Sequence, residues 1–183
     1  MWHREKYRDR RIRLVTAAMC LAMAIVLPQM IGHIKMFGKF TLVMHIPVLL
    51  CGLLAGPYYG ALTGIVAPFA AFLLSGWPEL YPTAAAMAAE LAVYALVCGL
   101  FHQRNRIHVY ITLPLAMLTG RAVFGGAMVL MLGMDGKSYL LDVFIADIFL
   151  SCWPGIALQI LLIPPIVMAL ERADLYRPGR RYT

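Results

Sequence analysis

Residues 45–100 read HIPVLLCGLLAGPYYGALTGIVAPFAAFLLSGWPELYPTAAAMAAELAVYALVCGL. Long apolar runs are interrupted there by Gly56-Pro57 and by the segment SGWPELYP, and Gly and Pro in such pairs mark turns. A helix crossing a bilayer needs about 20 mostly apolar residues. The stretch therefore reads as membrane helices joined by very short connections. The whole chain agrees, because its 183 residues are 62% hydrophobic and only 14% charged. Soluble domains lie nearer 45–50% apolar and about 25% charged. The predicted fold is an all-α integral membrane protein, a single bundle of six transmembrane helices with no soluble domain, linker or low-complexity segment.

Working outward, the spans fall at about residues 14–30, 42–55, 58–74, 82–101, 109–132 and 147–170. The first follows a basic leader and contains Pro28; with no small-x-small cleavage site after it, it is expected to be a retained helix. IGHIKMFGKF (residues 31–40) makes a short outer connection. The second span is short unless His45 sits at the interface. SGWPELYP is an outer loop in which Trp77 and Tyr81 take interface positions. HQRNRIH (residues 102–108) is an inner loop, and GMDGKSYLLD (residues 133–142) is the last outer one, extended by an amphipathic turn to Ile145.

Charge orients this bundle. Twelve Lys and Arg lie in the leader, in the loop holding Arg104 and Arg106, and in the tail from Arg172 to Arg181. Three (Lys35, Lys39 and Lys137) lie on the other side, and Arg121 lies within a span. A basic excess in short loops marks the cytoplasmic face, so both ends are expected in the cytoplasm. The same placement accounts for the net charge of +7 without nucleic acid, since the basic clusters flank apolar segments and lack base-stacking aromatics. The four cysteines lie in apolar segments without ligand spacing, so they read as packing residues, with no disulfide and no metal site.

Two ionisable residues sit deep in spans, Glu90 in the fourth and Arg121 in the fifth. An arginine at a helix centre costs about 2.5–3.5 kcal/mol on insertion scales, so it must face protein or water. At 1.5 Å per residue the two lie roughly 12 and 16 Å from the outer ends of their antiparallel helices. They can pair with each other and fix packing, or line an outward-facing pocket in which Arg121 meets a ligand anion. Met87, Glu90 and Tyr94 share one helical face, as do Met117, Arg121 and Gly125. In the sixth span Asp147, Ser151, Gly155 and Gln159 recur every four residues, a polar and small stripe expected to point inward. The candidate substrate-binding residues are thus Glu90, Arg121, Tyr94, Trp77, Gln159, Asp147 and Ser151.

Small residues form a second pattern. Ala18 and Ala22, with Cys20 and Ala24 beside them, mark the first span, and Ala61, Gly64, Ala67 and Ala71 mark the third. Such faces let helices approach closely in lipid, either within the bundle or against another membrane subunit. Catalytic signatures (HExxH, GxSxG, a Walker loop, a paired-Asp metal box) are absent from the sequence. No enzyme activity and no cofactor are expected, and active uptake would need a partner or an ion gradient. A proton-coupled carrier is an alternative, although no internal repeat is evident; a non-transport membrane scaffold is another.

The stretch from His45 to Leu100, the segment LPLAMLTGRAVFGG around Arg121, and the pattern of size, spans and basic inner ends over residues 14–170 resemble one family. It is that of the substrate-binding S components of energy-coupling factor (ECF) transporters, which bring vitamins into prokaryotic cells. The resemblance implies a multi-pass protein of a prokaryotic plasma membrane that captures its ligand from outside, in a pocket built from outer loops and the outer halves of the fourth to sixth helices. It further implies docking onto a module of one transmembrane coupling subunit and two ATPase subunits, with toppling of the S component to deliver the ligand. The family's AxxxA docking motif is matched by Ala18 and Ala22; the outer connection after the first span is short for a lid. Because guanidinium pairs bidentately with carboxylate, a buried Arg favours a carboxylate vitamin, pantothenate first and folate next, unless Glu90 neutralises it.

Overall fold

The computed structural model describes residues 2–31, 43–134 and 153–173. Six helices make up these residues, and no strand occurs among them: α1 (Trp2–Ile31), α2 (His45–Leu54), α3 (Pro57–Ser75), α4 (Ala85–Cys98), α5 (Val109–Met134) and α6 (Trp153–Arg172). A wider π turn at Gly99–Arg104 extends α4 at its far end, while Leu80–Ala84 leads into its start through a kink at Tyr81, whose backbone is extended (φ −133°, ψ 133°). Helices are what lipid demands, since the hydrocarbon offers no partner for a free backbone N–H or C=O. Five of the six are long and apolar enough to cross a membrane.

The exception is α2. Its ten residues rise only about 15 Å, half of a hydrocarbon core about 30 Å thick. It is enclosed rather than lipid-facing, with every residue from His45 to Leu53 buried. Of the two alternatives the sequence left for this segment, a short span or a His45 placed at the interface, the helix takes the short one, and His45 is enclosed, 1% exposed. At its other end α2 is closed by a side chain from the turn after α4. The Gln103 amide donates to the carbonyls of Leu53 (2.8 Å) and Leu54 (2.9 Å), acceptors that a helix C-terminus would otherwise leave bare. Gly56 then reverses the chain at φ 107°, a conformation open to glycine at little cost, and Pro57 starts α3 with a φ already suited to a helix.

α4 is the hub. It packs against α2, α3 and α5, while α1 lies on α2 and α3, and α6 on α2 and α5. Half of the apolar window of the α4 span is buried, against 17% of that of α1. Lipid is as apolar as leucine, so association here relies on close packing more than on exclusion from water. Small residues supply it: a Cβ on Gly52 would stand 2.6 Å from the Ala95 carbonyl oxygen, and one on Gly64 2.6 Å from the Leu91 carbonyl carbon. The small face of α3 is thus a packing face, with Gly64, Ala67 and Ala71 buried. On α1 the small residues divide. Ala17, Cys20 and Ala24 are buried, whereas Ala18 and Ala22 are exposed on the other side.

Candidate functional site

Three helices bring four polar side chains together inside the apolar core. Glu90 stands at the middle of α4, a residue type that helices accept readily but lipid does not. One turn on, the Tyr94 hydroxyl donates to its Oε1 at 2.7 Å. Arg121, carried by α5, places Nη1 3.2 Å from the same oxygen. His45, the first residue of α2, holds Nε2 3.5 Å from Oε2, and its ring tilts against that of Tyr94 with centroids 5.5 Å apart. Glu90, Tyr94 and His45 are each 1% exposed and Arg121 is 7% exposed. The guanidinium also lies over the Phe124 ring, 5.8 Å from its centroid, where a ring face attracts a cation.

Local sequence explains the convergence. Glu90 and Tyr94 are four residues apart on α4, so they share its inner face. Gly120, beside Arg121, lets α5 come in so close that a Cβ there would stand 2.2 Å from two Tyr94 ring carbons. The pair is therefore held by packing as well as charge. An arginine and a glutamate removed from water each lose several kcal/mol of solvation, which only mutual contact and further hydrogen bonds recover. The Tyr94 hydroxyl serves the carboxylate in that way. His45 Nδ1 finds no hydrogen-bond partner among the described residues, and a buried polar atom in that condition calls for a ligand or water.

Of the residues singled out from sequence, Glu90, Arg121 and Tyr94 meet in this cluster. Gln159 is buried on α6, 1% exposed, in a register with Gly155, Ile163 and Val167 that faces inward every fourth residue. Asp147 and Ser151 lie outside the described residues, as do the outer connection 31–40 and the turn to Ile145. Trp77 lies in the α3–α4 connection, 51% exposed. Near it Tyr81 donates its hydroxyl to the Met131 carbonyl at 2.8 Å, tying that connection to the end of α5. His45 is the member that sequence reasoning missed. The one available signal was that it is the sole basic side chain in HIPVLLCGLL.

The contact between Arg121 and Glu90 bears on what the cluster can bind. A lone buried guanidinium selects an anion; one already facing a carboxylate does not. Together the four side chains present a charge pair, a hydroxyl and an imidazole, which suits a polar ligand exchanging several hydrogen bonds. The described residues hold no group of three or more His, Cys, Asp or Glu that could bind a metal.

The family described as "ECF transporter, substrate-specific component" matches the chain over residues 12–167. The chain belongs to that family, and so is a substrate-binding, multi-pass membrane subunit of a transport system rather than a member of an enzyme family. No curated protein and no solved structure matches it.

Proposed function

We propose that the protein captures a vitamin-type small metabolite from outside a prokaryotic cell through the buried cluster of His45, Glu90, Tyr94 and Arg121. It then hands the ligand to a separate ATP-driven module. The observation that carries this reading is the cluster itself: four polar side chains from three helices, nearly sealed in an apolar core. Intramembrane ionisable groups of this kind mark substrate paths. Gln159 on the α6 register, Trp77 in the α3–α4 connection and, on the sequence pattern alone, Asp147 and Ser151 are proposed as further contacts. Pantothenate and then folate stand first among ligands on the family resemblance alone, because the carboxylate argument needs a guanidinium that Glu90 does not already face.

The module is a transmembrane coupling subunit with two ATPase subunits, and it docks on the exposed Ala18–Ala22 side of α1. Both chain ends lie in the cytoplasm, as the basic excess at that end of the bundle supports. The test is thermal unfolding of the purified protein against a panel of B vitamins and related metabolites. A ligand at 100 times its Kd adds about 2.7 kcal/mol of stability. Arg121→Ala should abolish the shift. A wild-type shift in that variant would remove Arg121 from the site, and no shift with any compound would count against the reading as a whole.

A further inference from the structure

At the basic end of the bundle, away from the Glu90 cluster, α5 and α6 enclose an open-sided groove of about 590 Å³ lined by Tyr110, Pro165, Met168, Ala169, Arg172 and Ala173. On α6 the lining follows one helical strip, Pro165, then Met168 and Ala169, then Arg172, at spacings of three and four residues. Seven residues separate its ends, so the strip rises about 10 Å. It therefore runs from wholly apolar walls in the span to an exposed cation at the helix end. Tyr110 stands at the rim, 50% exposed, where amphipathic rings settle at headgroup level.

The rim is positive for a structural reason. Glu171, next to Arg172, turns its carboxylate to His102, with Oε1 3.3 Å from Nε2, so the acidic neighbour is engaged elsewhere. The connection leading to Tyr110 exposes Arg104 and Arg106, and the His108 ring stacks on Tyr110 at 5.5 Å. An apolar trough ending in a cation within a basic rim complements a molecule with an anionic head and a hydrocarbon tail. A free phosphate would match only the last residue of the strip. Basic pockets between helices on the cytoplasmic side of membrane proteins take anionic lipid headgroups.

We propose that this groove is a site for an anionic phospholipid, with an acyl chain along Pro165, Met168 and Ala169 and the phosphate at Arg172. The test is native mass spectrometry of the full chain released from micelles doped with equal amounts of phosphatidylglycerol and phosphatidylcholine. One basic residue near an anionic surface contributes about 1 kcal/mol, roughly a five-fold change in binding. Wild type should retain phosphatidylglycerol at least about five-fold over phosphatidylcholine. Arg172→Gln should bring the two level, while Ala169→Trp, which fills the trough, should lower retention of both. Equal retention by wild type overturns the proposal, as does an undiminished preference in Arg172→Gln. So does retention of neither lipid with the groove covered in the assembled transporter, which would make it a protein interface. Arg172→Gln should leave any vitamin-induced thermal shift unchanged, so this test and that of the substrate site fail separately.

Discussion

Gly120→Ala is the smallest change that should disturb the polar cluster without touching any of its members. The new Cβ would stand 2.2 Å from Cδ1 and Cε1 of Tyr94 and 3.1 Å from the Glu90 carbonyl oxygen. Carbon atoms pack at about 3.5–4.0 Å, so the ring or the helix must retreat by about 1.3 Å or more. Tyr94 has little room: its hydroxyl is bonded to Glu90, the His45 ring tilts against its own, and it is 1% exposed. Overpacking of this kind costs about 1–3 kcal/mol. On the scale of chains of this size, at about 2–4 °C per kcal/mol, Tm should fall by roughly 2–12 °C. Thermal unfolding of the ligand-free protein in detergent reads that loss. Adding Tyr94→Ala should make the double variant less unstable than the two single losses summed, with a coupling of about 0.5–3 kcal/mol. A wild-type Tm for Gly120→Ala, or strict additivity in the cycle, would refute the claim that α5 is seated against the Tyr94 ring.

Glu90→Gln keeps the volume but removes the charge facing Arg121, leaving a buried cation uncompensated at a cost of about 3–5 kcal/mol; the double change with Arg121→Gln should recover much of it, and an unaltered unfolding midpoint in Glu90→Gln would dissolve the ion pair. Leucine at both Ala18 and Ala22, whose side chains are exposed, should change the stability of the isolated subunit by no more than about 0.5 kcal/mol. The same variant should fail to co-purify with the coupling subunit, and a normal yield of complex would remove this face from docking.

Hydropathy and punctuation were enough to find α3, α4 and α5, because each is bounded by Gly, Pro or charge and is long enough to register as a span. The meeting of Glu90 and Arg121 was legible as well. Two opposite charges at similar depth on neighbouring antiparallel helices have few other ways to avoid lipid. Tyr94 followed by i, i+4 geometry, and the inward register of α6 is visible in Gly155 and Gln159. His45 was hidden for a physical reason. Whether a histidine opening an apolar segment lies at an interface or inside depends on how deep that segment sits, and ten enclosed residues carry no amphipathic signal to fix it. Whether Trp77 belongs with the cluster was not legible, because a loop residue's distance from a buried site is set by how neighbouring helices lean, which spacing along the chain does not encode.

The two sides of α1 should carry different histories. Ala17, Cys20 and Ala24 touch their own chain, so substitutions there must be answered by changes in α2 and α3. Ala18 and Ala22 are exposed on its other side. If that side meets a coupling subunit, its substitutions should track those in another gene, and relatives that share one energising module should vary freely at 17, 20 and 24 while agreeing at 18 and 22.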